Sequence, residues 1–265
     1  MIDSMSLSVV VIAAGSGSRF KGSTPKHLVQ VGPEKLLDRV HRLFLKNGIE
    51  KITTIIPPKD KRYKVLKNSR VKLVPRNGDL GTNTDKFIEA VKFCEKQSDL
   101  LIIYGDVFFT EDAVKTILRV SAERNQITTF CRFDLQATFG RPYGEIFAFW
   151  IPNEFKGKFL EAVLSVKGLF LSEKIWRDGG WEVCKYLNGV GIENKYRDHV
   201  PLPTYYEIDD LTDDIDFIED LDNLYKFLPI EPIAVFDKLV KAYGVAHASG
   251  YVQLINEVAG VPKSD

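Results

Sequence analysis

Two glycines, an arginine and a lysine stand close together in VVVIAAGSGSRFKGSTPK, residues 9–26. Gly15 and Gly17 can take positive φ and let the backbone approach a ligand closely. With no Cβ atoms in the way, their N–H groups can converge on an anion. Arg19 and Lys26 bring two cations to the same place. Together they suit the holding of a polyphosphate. Two better-known phosphate motifs do not fit. The dinucleotide fingerprint G-x-G-x-x-G needs a third glycine where Phe20 stands. The P-loop pattern nearly runs from Gly17 to Thr24 but meets Ser23 where its lysine is required.

Carboxylates supply a second kind of chemistry. Asp106 follows the apolar run LLIIY at 100–104. An acidic residue just past a parallel strand lies at the carboxyl edge of the sheet, where open α/β sheets bind ligands; the lesser alternative is a cap of the next turn. Glu207, Asp209, Asp210, Asp213, Asp214 and Asp216 crowd into residues 207–216. Most of these read as a solvated loop and helix cap, and neither Asp210 nor Asp214 starts an EF-hand loop.

The elements that must position these groups alternate between apolar runs and helical patterns, the sign of βαβ units and a mostly parallel sheet flanked by helices. Strands are expected at 9–12, 52–56, 71–74, 100–104, 126–133, 144–151 and 205–208. Helical spacing covers 34–47, 84–96, 153–166, 172–187 and 217–227. A further helix is expected from Thr110, a good N-cap, to about Arg124. From Pro229 two more amphipathic segments follow, which we take as a packed or dimerising extension (229–265) of a main domain at 1–228.

The spacing AAG-x-G-x-R-(x)n-P-K resembles the opening motif of the GT-A-type nucleotidyltransferase family, which includes MobA-like and sugar-phosphate nucleotidyltransferases. YGDVF at 104–108 is similar to the family's metal-binding strand end, and IDFIEDL at 215–221 to its D-T-P-E-D-L segment. The resemblance covers about residues 8–226 and implies a Rossmann-like GT-A fold. It implies that Arg19 and the backbone of Gly15, Ser16, Gly17 and Ser18 hold the leaving pyrophosphate, and that Lys26 neutralises the α-phosphate. Asp106 and Asp216 then hold Mg2+, which favours a few carboxylates, water and substrate phosphates over an all-protein cage. Phe217 and Ile218 replace the family's Thr-Pro, leaving Asp214 as an alternative ligand. Ala13, Ala14 and Gly15 are implied to lie along base and ribose. Gly81 and Thr82, in NGDLGTNTD, are implied to contact the base, although Thr82 and Thr84 also suit a helix N-cap.

The reaction so implied joins a nucleoside triphosphate, CTP or UTP preferred, to a phosphorylated small molecule such as a sugar phosphate, and releases pyrophosphate. Arg141, Tyr143 and Glu145 in FGRPYGEIF are acceptor candidates, as is WRDGGW (176–181), whose aromatic rings suit a sugar or a choline-like cation. Two other readings stay open at this point: a glycosyltransferase using a nucleotide-sugar, for which Tyr104 stands in place of the first Asp of Asp-x-Asp, and a nucleotide-binding protein without catalysis. Lys+Arg and Asp+Glu both number 36, so no overall charge points to nucleic acid. Cys94, Cys131 and Cys184 form no C-x-x-C and fit a reducing cytoplasm. The short N-terminal apolar run enters the glycine loop directly, so neither signal peptide nor membrane span is expected. His27, His41, His199 and His247 are isolated and read as structural or surface groups.

Overall fold

The computed structural model of the protein describes residues 7–15, 19–20, 24–65, 68–76, 82–133, 139–140, 144–192 and 202–228. Ser16, Gly17, Ser18, Gly81, Arg141, Tyr143, His199, His247 and the extension at 229–265 lie outside them.

The chain begins with β1 (Leu7–Ile12), a small hairpin of β2 (Gln30–Val31) and β3 (Glu34–Lys35), and α1 (Leu36–Lys46). It continues through β4 (Ile52–Ile56), β5 (Val71–Pro75), α2 (Thr84–Phe93), β6 (Asp99–Tyr104), β7 (Val107–Phe108) and α3 (Glu111–Glu123). β8 (Thr128–Arg132), β9 (Glu145–Ile151), α4 (Lys156–Leu171) and α5 (Gly180–Leu187) follow. The last described elements are β10 (Tyr205–Glu207), β11 (Asp213–Asp214) and α6 (Ile218–Tyr225).

Seven strands form one sheet in the order β10-β8-β9-β6-β1-β4-β5. β1 runs parallel to β4 and β6, β4 to β5, and β10 to β8; β9 is antiparallel to both its neighbours. The sheet is therefore mixed but mostly parallel, with helices on both faces. The apolar strands require this, because alternate side chains of a central strand point to opposite faces. Val9 and Val11 pack with Leu37, Phe44 and Ile117, whereas Val10 and Ile12 pack with Phe87, Phe159 and Val163. β1 has β4 on one side and β6 on the other, so its carboxyl end opens at a switch point, the ordinary place for a ligand.

A third apolar cluster lies beside that edge. Phe20, Val29, Leu36, Phe108, Phe139, Ile215, Leu221 and Leu224 pack together there. It docks α6 and the two-stranded pairing of β7 with β11, in which Asp213 faces Phe108 and Asp214 faces Val107. The acidic run is thereby carried alongside Asp106, and the Ile215 N–H donates to the Asp106 carbonyl at 2.9 Å.

Several element ends differ from expectation. Residues 34–35 belong to β3 rather than to α1, and α4 runs on to Leu171. The helix expected over 172–187 begins only at Gly180. A Cβ on Gly180 would lie 2.6 Å from the Tyr104 hydroxyl, so the glycine lets this segment close onto the end of β6. α3 starts where its cap residue places it, with the Thr110 hydroxyl accepting from the Ala113 N–H at 3.0 Å.

Candidate functional site

The ends of β1 and β6 are locked together by a glycine. The Gly105 N–H donates to the Ile12 carbonyl at 2.9 Å. A Cβ at Gly105 would stand 3.0 Å from the Ala13 Cβ and 3.1 Å from the Ile12 oxygen, tighter than ordinary packing. The end of β1 and YGDVF are thus held in direct contact. Pro25 leads into a single 3-10 turn, Lys26–Leu28, that delivers Lys26 to this edge.

The Lys26 ammonium lies between two carboxylates, 2.5 Å from Asp106 Oδ2 and 2.7 Å from Asp216 Oδ1. Arg19 Nη1 reaches the other oxygen of Asp216 at 2.5 Å. Burial alone would strip the lysine of its proton, but Asp106, Asp216 and Asp214 outweigh it and hold the ammonium charged far up the pH scale. Burial likewise favours a neutral Asp106; the Lys26 charge overcomes it and holds the carboxyl down to about 2. Asp216 is kept in place by α6, since Asp220 accepts from the N–H groups of Asp216 and Phe217 at 3.0 and 2.7 Å.

These groups line a cleft of about 290 Å3. Gly15, Arg19, Lys26 and Asp106 form one wall, and Glu145, Asp214 and Asp216 an acidic end. Asn83 and Lys86 enter from α2, while Arg177, Gly179, Gly180 and Trp181 close the side built from WRDGGW. The acidic end carries more negative charge than its cations balance. Burial, Asp216 and Asp213 push the Glu145 carboxyl up to about 8, and burial with Glu145 and Asp216 pushes Asp214 upward too.

Other expected residues sit elsewhere. Ala13 and Ala14 are fully buried, so only Gly15 of the three lines the cleft. Thr82 is buried beside it; its carbonyl accepts from Arg76 Nη2 at 2.9 Å, and its hydroxyl is 2.9 Å from that of Thr84. Trp176 points outward, 69% exposed, with the Arg177 guanidinium 5.3 Å from its ring. His27 is buried behind Lys26, and burial lowers its pKa to about 3. The Tyr63 hydroxyl donates to the Ala13 carbonyl at 3.3 Å, so the His27 Nδ1 contact of 2.8 Å requires that nitrogen to carry the proton.

Three residues of this neighbourhood were missed in the sequence. Lys86 belongs to no pattern. Asp178 lies inside WRDGGW yet caps a distant helix: its Oδ2 accepts from the Thr84 N–H at 2.9 Å and from the Thr84 hydroxyl at 2.8 Å. Arg132 is fully buried and pairs with the equally buried Asp213 at 2.6 Å. Asp213 also accepts from the N–H groups of Gly140 and Asp214, each at 2.9 Å, and a Cβ on Gly140 would meet its carboxylate at 2.6 Å.

Residues 9–168, more than half of the chain, match the family model of the MobA-like NTP transferase domain. The chain is 33% identical over 137 residues to the bifunctional protein GlmU of Marinobacter nauticus, covering 51% of this chain and 30% of that protein. It is 33% identical over 105 residues to a bifunctional sugar-1-phosphate nucleotidylyltransferase/acetyltransferase of Sulfurisphaera tokodaii, covering 38% of this chain and 25% of that one. The matches thus span less than a third of these relatives' own lengths. Among solved structures, a putative glucose-1-phosphate thymidylyltransferase from Bacillus anthracis superposes with a TM-score of 0.58 at 14% identity, over 83% of this chain and 94% of that one. The CTP:phosphocholine cytidylyltransferase LicC of Streptococcus pneumoniae gives 0.54 at 16% identity, over 83% and 98%. At such identities the likeness speaks for the fold alone.

Proposed function

The chain belongs to the MobA-like NTP transferase domain family, and from that premise we propose that it transfers a nucleotidyl group from a nucleoside triphosphate to a phosphorylated small molecule. A phosphate oxygen of the acceptor attacks the α-phosphorus in line, the bond to the bridging α–β oxygen breaks, and pyrophosphate leaves. The attacking oxygen is already ionised at neutral pH, so the residues have to position and neutralise rather than abstract a proton. The observation that carries this reading is the Lys26 ammonium held between Asp106 and Asp216 in the cleft that Gly15 also lines.

In that role Lys26 stabilises charge that develops on the α-phosphate, and Arg19 together with Gly15, Ser16, Gly17 and Ser18 holds the departing pyrophosphate. Gly81 and Thr82 contact the base, and Gly15 lies along base and ribose. A sugar phosphate is the favoured acceptor, in keeping with the name of the Sulfurisphaera relative, and CTP or UTP the favoured donor.

Among the described residues no three His, Cys, Asp or Glu side chains form a ready-made metal cage. The donor set still suits a divalent cation. Asp106 and Asp216 already share one cation, Lys26, and burial and neighbouring acids drive Glu145 and Asp214 to retain protons. Asp106 and Asp216 would hold Mg2+, with Asp214 as the alternative. When bound, the ion neutralises the polyphosphate and leaving-group charge.

The test is pyrophosphate release with Mg2+ from a panel of four NTPs against sugar phosphates and other phosphomonoesters. Release with at least one pair is expected. No release with any pair would sink the reading.

A further inference from the structure

We propose that Lys86 is a second phosphate-binding lysine of the cleft that Lys26 lines. The proposal rests on the nucleotidyl-transfer reading and adds a residue to it. Lys86 lies in the first turn of α2 and lines the cleft with Asn83 and Tyr104. Lys26 and Arg19 are already tied to carboxylates. Lys86 is not: its Nζ donates to Asn83 Oδ1 at 3.2 Å, within the same turn, and no carboxylate among the described residues forms an ion pair with it. Elsewhere on the same helix pair, Lys167 reaches Asp85 at 2.6 Å, so suitable acids are at hand and Lys86 does not use them.

A half-buried ammonium without a directly paired carboxylate is costly, and its cleft position makes a bound anion the natural compensation. Burial disfavours the charged lysine first; Asp106 partly supports it, Arg76 and Lys26 oppose it, and Asp178 adds a smaller support. Lys86 lines the same cleft as Lys26 and Asp106, the cleft in which the α-phosphate and the acceptor phosphate must meet. Two polyanions approaching in line repel each other, and a cation placed beside both lowers that repulsion. The helix N-terminus does not serve in its place, because Asp178 already occupies the Thr84 N–H.

The experiment compares wild type with Lys86→Met and Lys86→Arg, each checked by thermal melting. With the substrate pair that releases pyrophosphate in wild type, Lys86→Met should lower kcat/KM by about 10- to 100-fold, the range for one charged hydrogen bond. Lys86→Arg should keep most of the activity. A KM rise confined to the acceptor assigns the contact to the acceptor phosphate; one confined to the nucleotide assigns it to the donor. Unchanged kinetics in Lys86→Met would overturn the proposal. So would a loss that Lys86→Arg shares and that tracks a lower melting temperature. If wild type releases no pyrophosphate with any pair, the nucleotidyl-transfer reading fails separately. Titration with inorganic phosphate then decides on Lys86: weaker binding to Lys86→Met than to wild type sustains it, and equal binding removes it.

Discussion

The acidic run enters two cation–carboxylate assemblies only a few residues apart, and they differ in one respect. Asp213 pairs with Arg132 where both side chains are at most 1% exposed, and its remaining capacity is taken by the N–H groups of Gly140 and Asp214. Asp216 pairs with Lys26 and Arg19 on the wall of the cleft, where the Arg19 side chain is 59% exposed. In the sealed assembly both side chains are closed off from solvent, and a ligand has no way in. In the open one the Arg19 side chain is within reach of a solute. The sealed pair is a fastening; the open cluster can exchange its partners.

That contrast can be broken experimentally. Asp106→Asn should abolish pyrophosphate release while leaving the melting temperature nearly unchanged; retained turnover would remove Asp106 from the chemistry. Lys26→Met should cut kcat by about 10²–10³, as loss of one preorganised charge-stabilising group does elsewhere, again with the fold intact by circular dichroism. Arg132→Met should do the opposite. Leaving the buried Asp213 without the Arg132 charge should cost ~3–5 kcal/mol in urea titration, and the double change with Asp213→Leu should recover a good part of it. If Arg132→Met melts like wild type, the sealed pair is no fastening.

Two smaller effects sharpen the picture. Asp178→Ala removes the cap of α2 and should cost ~1 kcal/mol, the usual scale for a lost cap, measured by the same titration. The smallest is a pH effect at His41, far from the cleft. Its Nε2 lies 2.8 Å from the Thr54 hydroxyl, and burial lowers its pKa from 6.5 to about 4. The unfolded chain takes up a proton below pH 6.5 that the folded chain refuses until about pH 4. Stability from this group is therefore complete above 6.5 and lost as pH falls through that window. His41→Leu should flatten the fall in melting temperature between pH 6.5 and 4; an unchanged slope would clear His41 of it.

Features that depend on neighbours in sequence were legible in it. β1 and β6 are continuous apolar runs, Thr110 caps α3, and the types and order of Gly15, Arg19 and Lys26 mark one loop. What escaped depends on strand order and long-range contact. Nothing local says that β9 inserts antiparallel between β6 and β8, or that Asp213 and Asp214 form a strand on β7. The overlong helix at 172–187 had helical spacing throughout. Its first half is instead drawn across the cleft by Asp178, whose partners Asn83 and Thr84 lie more than ninety positions away. Lys86 was invisible for another reason: a lysine at the start of a helix is ordinary until its surroundings are known.

The pairing of β7 with β11 also sets an order of events. Lys26 and Asp216 are 190 positions apart, yet they share one hydrogen bond. A chain emerging from the ribosome carries its glycine loop and Asp106 long before Asp216 exists. Only docking of β11 and α6 brings the second carboxylate to Lys26, and such distant contacts form slowly because much chain must be closed first. Assembly of the cleft thus reports that synthesis has passed the acidic run, and a product truncated before it holds half a site.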